Sequence, residues 1–388
     1  MEAFSKSNRI IIDGEVIEIK HRNIGIALSG GGIRAMLFHL GLFKWLAENK
    51  LLEHVKRVST VSGASFCVGM IYAHNGLEWP TSDEFLCLVL PKIKKALQID
   101  LQQSAMRKWL ISPNYWNKKN NIFARVLESK WGVHGKLCEL EGDPVWYINC
   151  TTYETGKRFR FCRENMGDYT LGYVEKPRIT LSEVMAASAG FPGLIGPYKL
   201  KISDFNWTPH PKYSGDDWQY PHNRTLHLWD GGVYDNLGLE SIFKPDNGGT
   251  LSEDVEFLIV SNASIQFTSQ VRGKGISIKA LKRILDISMN QVASLRSREV
   301  MDFIKRTGQG IYLNIGNSAE KITSASKCSD ELKALLIESC LSAEQADKAM
   351  NYPTILSKPN DVDFQMLLRH GYEVADCTYR CYQKKEVE

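Results

Sequence analysis

An apolar run that breaks on three consecutive glycines constrains this chain more than anything else in it. Ile24-Gly25-Ile26-Ala27-Leu28-Ser29 reads as a buried strand and runs into Gly30-Gly31-Gly32-Ile33-Arg34. Met36, Leu37, Leu40, Phe43 and Leu46 then recur at helical spacing to about Asn49. A second apolar run, Val55 to Val61, ends at Ser62-Gly63-Ala64-Ser65 and passes into a helical stretch from Phe66 to Tyr72. Strand, helix, strand and helix in that order call for a parallel sheet covered on both faces. The expected fold class is α/β, a three-layer α/β/α arrangement with a mostly parallel central sheet and an elbow at Ser62.

Both breaks carry chemistry. Glycines between a strand and a helix expose backbone N–H groups at the positive end of the helix dipole, which makes an anion site. Gly30-Gly31-Gly32-Ile33-Arg34-Ala35 also fits the dinucleotide pattern G-x-G-x-x-A. That pattern expects an acidic residue at the end of the next strand, where this chain has Thr60, Val61 and Ser62. A candidate nucleophile stands where a ribose-binding carboxylate is needed, so the cofactor reading is the weaker one. A serine at a sharp strand-to-helix turn is a nucleophile elbow, and such a bend needs small neighbours. Gly63 and Ala64 supply them, while Thr60 stands where G-x-S-x-G has its first glycine. Ser65 is a poorer nucleophile candidate, because the strand would have to run three residues longer. A third piece, His227-Leu228-Trp229-Asp230-Gly231-Gly232-Val233, can place a carboxylate at a strand end with little bulk around it; its plain alternative is an Asp-Gly turn.

Taken together, these pieces resemble the patatin-like phospholipases. That family carries a G-G-G-x-[RK] loop, an elbow serine and the aspartate of a D-G-[GA] motif, in the order of Gly30-Gly31-Gly32-Ile33-Arg34, Ser62 and Asp230-Gly231-Gly232. Ile148-Asn149-Cys150-Thr151-Thr152-Tyr153 with Thr155-Gly156-Lys157 looks like its mid-domain strand and turn. Ala186-Ala187-Ser188-Ala189-Gly190-Phe191-Pro192 looks like its A-S-x-A-x-P helix end. Thr60 and Ala64 depart from the elbow glycines. The resemblance implies Ser62 as nucleophile and Asp230 as base. It implies an oxyanion hole from Gly30, Gly31 and Gly32 with Gly63, and supporting roles for Gly231 and Gly232. Arg34 then steadies the glycine loop or meets lipid phosphate, and Asn236 orients the loop carrying Asp230. No cofactor or calcium is called for, and no acidic cluster has calcium-ligand spacing.

The implied reaction is cleavage of fatty acyl esters of membrane phospholipids. An acyltransferase or neutral-lipid lipase on the same dyad stays open, as does a non-catalytic lipid-binding protein. So does a regulated membrane-degrading effector. Histidine-containing triads remain as rivals, with His370 after Asp230 in chain order and His227 just before it. His227 is three residues from Asp230 and points to the opposite face of a strand.

Composition sets bounds. With 388 residues at 43% hydrophobic, the chain can bury a large core. A net charge of +4 is too mild to imply nucleic acid. Nine cysteines without Cys-x-x-Cys spacing, no apolar leader and no run long enough to span a bilayer lead to an expectation of a cytoplasmic protein, peripheral on the membrane when active. The sequence leaves a homo-oligomer or a regulatory partner open. The expected organisation is one compact unit over 1–388, with a catalytic region at 24–241 and its completion at 242–388. A lid-like insertion is expected at about 76–140. Nine basic and two acidic residues fall between Lys92 and Lys130, interleaved with Trp109, Tyr115, Trp116 and Phe123. That mixture suits either anionic lipid or a solvated face whose aromatics belong to the core. Further expectations are a hairpin over residues 9–19, a helix capped by Ser82 or Asp83, one long helix or two over 276–306, and a closing helix pair over 353–382.

Overall fold

The computed structural model describes residues 22–101, 103–104, 119–192, 195–209, 220–265 and 278–382. The expected hairpin over 9–19, and Trp109, Tyr115 and Trp116 of the basic segment, lie outside them. The two apolar runs form β1 (Ile24–Leu28) and β2 (Val55–Val61), joined by α1 (Gly32–Glu48) and followed by α2 (Gly63–His74). Next come three short helical segments, α3 (Ser82–Glu84), α4 (Leu90–Ala96) and, after a gap, α5 (Lys119–Trp131). The cap of α3 is Thr81, not Ser82 or Asp83: its hydroxyl accepts from Glu84 N–H while Glu84 returns to Thr81 N–H. Ser82 is instead held by Glu53 from outside the helix. In α5, Ile122 and Phe123 are buried, and the neighbouring rings of Phe66 and Phe123 are 5.8 Å apart. These apolar residues of the basic segment therefore belong to the core.

Strands β3 (Val145–Thr152), β4 (Arg158–Phe161), β5 (Asn165–Asp168) and β6 (Gly172–Glu175) follow in succession. Helix α6 (Leu181–Ser188) then leads to β7 (Tyr198–Lys201), β8 (Thr225–Asp230) and α7 (Gly232–Asp235). A small ribbon of β9 (Phe243–Lys244) and β10 (Thr250–Leu251) precedes β11 (Phe257–Asn262), α8 (Ile278–Thr307) and β12 (Gly310–Asn314). The chain closes with α9 (Ala319–Ser324), α10 (Asp330–Ser339), α11 (Ala343–Met350) and α12 (Asp361–Tyr382).

The main sheet has ten strands, ordered β12-β11-β1-β2-β3-β4-β5-β6, with β8 joined to β3 and β7 to β8. Its central part, β12 through β3, is parallel and the remainder antiparallel. Strand β1 is buried on both faces. Ile24, Ile26 and Leu28 enter the larger core under α1 and α2, whereas Ala27 enters a second core with Phe243, Val300 and Phe303. This is the three-layer α/β/α fold expected from the sequence. The expected closing helix pair is a single helix, α12, preceded by a non-helical strap through Tyr352–Leu356. It lies across α1 so closely that a β-carbon on Gly41 or Gly371 would collide with the facing backbone. Helix α8 is one helix, and its inward residues are not those its apolar spacing suggests. Ile284 and Leu295 are 59% and 54% exposed, because Val300 and Phe303 make its core contact.

Candidate active site

Ser62 is the turn between β2 and α2, with φ 54° and ψ −117°, a strained conformation for a non-glycine residue. Gly63 permits the bend, because a β-carbon there would strike the Gly32 carbonyl oxygen. Thr60 fills the place of the missing glycine with a hydrogen bond. The Trp146 indole N–H donates to Thr60 Oγ1 at 2.9 Å, and Thr60 Oγ1 lies 2.9 Å from Ser65 Oγ. Ser65 Oγ is 2.8 Å from Ser188 Oγ, which in turn donates to the Asn149 carbonyl at 2.8 Å and accepts the Ser62 N–H at 3.0 Å. An indole N–H can only donate and a carbonyl can only accept, so the direction of every hydroxyl in the buried chain is fixed. The elbow backbone is thus pinned by side chains, and Ser65 is spent in that network, not free to attack.

Strand β3 sets the distance between the two candidate reacting groups. Val61, the last residue of β2, is level with Asn149, while Asp230, the last of β8, is level with Cys150. Ser62 and Asp230 therefore emerge on adjoining rungs of one strand. The end of α6 anchors the second of them, through Asp230 N–H to the Gly190 carbonyl and Gly231 N–H to the Ser188 carbonyl. Gly231 is required because a β-carbon would meet the Asn149 carbonyl oxygen. Asp230 is 2% exposed. Burial pushes its carboxyl up to about 6, against the opposing pull of the Gly232 N–H at 2.8 Å and of the Ser62 hydroxyl that faces it.

The glycine loop lies alongside. Gly31 and Gly32 have φ of 150° and 63°, and the N–H groups of Gly31, Gly32 and Gly63 meet no acceptor among the described residues. Gly30 is different: its N–H donates to the Asn236 carbonyl at 3.2 Å. Its expected place among the oxyanion donors is therefore corrected to that of a spacer, with Ser62 Cβ only 3.1 Å from where its own Cβ would be. Asn236 also donates to Ser264 Oγ at 2.7 Å, so it ties the glycine loop to the end of β11.

Arg34 is 1% exposed and donates to the Ala263 carbonyl at 3.1 Å, the Tyr352 carbonyl at 2.7 Å and Thr354 Oγ1 at 3.0 Å. The same strap accepts the Ile33 N–H on the Ile355 carbonyl at 3.0 Å. Burial pulls the Arg34 guanidinium down to about 10. Nothing in the sequence pointed to this strap, since Pro353-Thr354-Ile355 has no motif character. Ser188, by contrast, was visible as the serine of the A-S-x-A-x-P stretch, without its partner being predictable.

Ser62, Asp230 and the glycine loop open onto a cavity of about 380 Å³. Phe191, Met289, Ala293, Ile355 and Leu356 give it apolar walls, with Arg283, Asp286 and Asn290 on its α8 side. No histidine lines it among the described residues. His227 faces away on β8 and meets Glu154 at 2.7 Å, and His370 accepts the Gly316 N–H inside the helical layer. His39 is buried between Ser261 Oγ and the Ser29 carbonyl, and burial pulls it down to about 4. The described residues hold no group of three or more His, Cys, Asp or Glu side chains arranged for a metal ion.

Fold and site together define a class, three-layer α/β/α proteins with a glycine loop and a serine elbow beside a buried aspartate. The patatin-like phospholipase model matches residues 26–243, and the chain belongs to that family. No curated protein sequence matches significantly. Among solved structures, the chain is similar to the human GIVD cytosolic phospholipase A2, with 15% identity and a TM-score of 0.52 over 92% of this chain. A complex of that human enzyme with methyl γ-linolenyl fluorophosphonate and terbium chloride matches with 14% identity and a TM-score of 0.50 over 95%. VipD from Legionella pneumophila matches with 12% identity and a TM-score of 0.39, covering 93% of this chain and 67% of VipD. The chain spans 59% of the human phospholipase. No described helix is long and apolar enough to cross a membrane.

Proposed function

We propose that this protein hydrolyses fatty acyl esters of membrane phospholipids, with Ser62 as nucleophile and Asp230 as its base. The observation that carries this reading is the strained Ser62 hydroxyl facing a buried carboxylate beside three unengaged backbone N–H groups. Asp230 takes the Ser62 proton as Oγ bonds to the ester carbonyl carbon. The oxyanion that forms is held by the N–H groups of Gly31, Gly32 and Gly63, with the α2 dipole adding to them. When the tetrahedral adduct collapses, Asp230 returns the proton to the departing alcohol. A water, deprotonated by Asp230, then releases the fatty acid and restores Ser62. The apolar cavity walls suit an acyl chain, and such an enzyme works at the surface of a bilayer.

Release of fatty acid from anionic phospholipid vesicles tests this, comparing wild type with Ser62→Ala and Asp230→Asn. Both folded variants are expected to lose hydrolysis. Activity surviving in Asp230→Asn would remove the dyad. Methyl γ-linolenyl fluorophosphonate, bound by the human phospholipase, is expected to label Ser62 in the wild type. Labelling together with release from triacylglycerol alone would redirect the reading to a neutral-lipid lipase.

A further inference from the structure

The nine cysteines of the chain are free thiols. Two of them meet where the C-terminal end of α10 reaches α12. Cys340 follows the last residue of α10, and its Sγ is 3.4 Å from Sγ of Cys377 on α12. Specific bonds hold this register: Arg369 donates to the Ser339 carbonyl at 2.9 Å, and Leu341 N–H donates to Glu373 at 2.8 Å. Within α10 Leu336 is buried, and Leu332 and Ile337 pack part-buried against the core.

A thiol–thiol contact is a weak interaction in itself. A disulfide needs its sulfurs at about 2.05 Å, so closing the Cys340–Cys377 gap takes a shift of little more than about 1 Å. The two cysteines come from segments distant in sequence, and with no metal-type cluster among the described residues they read as a dithiol.

We propose that Cys340–Cys377 is an oxidisable dithiol, closed by a peroxide-class oxidant into a disulfide that staples the end of α10 to α12. Cys340 is part-exposed, whereas Cys377 is buried and its thiol is held protonated. The Cys340 thiolate therefore attacks one peroxide oxygen first. The O–O bond breaks, and the leaving hydroxide takes up a proton as water. The Cys377 sulfur then displaces hydroxide from the Cys340 sulfenic acid, releasing a second water as the S–S bond forms. Two thiols have lost two electrons and two protons, and one peroxide has become two waters. Contact between the sulfurs makes the second step intramolecular and favours it over further oxidation.

The test treats the reduced full chain with hydrogen peroxide, blocks remaining thiols with N-ethylmaleimide in urea, and maps peptides without reduction. The expected result is a fall from nine maleimide-reactive thiols to seven, with a linked peptide pairing Cys340 to Cys377. Cys340→Ser is expected to abolish that link. Nine reactive thiols after peroxide, links to other cysteines, or Cys340 driven to sulfinic acid beside an unmodified Cys377 would each overturn the proposal. Should a serine variant fail to fold, the wild-type peptide map decides alone.

Discussion

Replacing Thr60 by valine would keep the shape of the elbow and remove the one acceptor held against the Trp146 indole N–H. A buried donor left without a partner costs about 1–3 kcal/mol, and urea unfolding of Thr60→Val is expected to show a loss of that size. Thr60→Gly, which restores the general elbow pattern, is expected to destabilise as well, because the hydroxyl chain reaches Ser62 N–H through Ser65 and Ser188. Asp230 carries the pH dependence. Its folded carboxyl titrates near 6, above its ordinary value, so the unfolded chain gives up this proton first and ionisation weakens the fold as pH rises through that window. Above about pH 6, Asp230→Asn is expected to be more stable than wild type by on the order of 2–3 kcal/mol, with the gain vanishing below about pH 4. Wild-type kcat/KM is expected to fall as pH drops through about 6, measured on a substrate whose own charge does not change there. Ser62 and Asp230 were legible in the sequence because strained turns and crowded strand ends admit few residue types. The elbow's hydroxyl chain was not, since Trp146 reaches Thr60, and Ser188 reaches Ser65 and Ser62, only across the fold.

Among the elements, the strap Tyr352–Leu356 has the most direct consequence for catalysis. It holds the Ile33 N–H and two of the Arg34 bonds, and a β-carbon on Gly32 would sit 2.7 Å from the Ile355 carbonyl oxygen. The loop bearing the Gly31 and Gly32 donors is therefore shaped from the far end of the chain. Thr354→Val is expected to lower kcat roughly tenfold with KM little changed, since misaimed donors lose most in the transition state; Thr354→Ser is expected to keep wild-type kinetics. The crossing of α12 over α1 is a second such place. Gly371→Ala must push two backbones apart, and a loss of about 3 kcal/mol or more is expected by thermal or urea unfolding. Helical periodicity revealed α1 and α8 but not which face of α8 turns inward. Apolar spacing on a helix beside an open cavity serves the cavity as well as the core, and Met289 and Ala293 are spent there.

At the scale of the whole molecule, the family match ends at residue 243 while the sheet does not. Strand β1 pairs on one side with β2 and on the other with β11, which lies beyond the matched region. A fragment ending near residue 250 would leave β1 as an apolar, unpaired edge, without the strap behind the glycine loop. Such a fragment is expected to aggregate or to lack fluorophosphonate reactivity, as gel filtration and labelling would show.

Because the strands that carry Ser62 and Asp230 pair with consecutive residues of β3, their separation rests on the hydrogen-bonded register of the main sheet. Gentle heating that loosens α8 and its side of the cavity, with the strap still seated behind the glycine loop, leaves that spacing in place. A compact electrophile is thus expected to keep finding a competent serine at temperatures where a two-chain lipid is no longer accepted. Loss of appetite for lipid would come well before loss of the nucleophile itself.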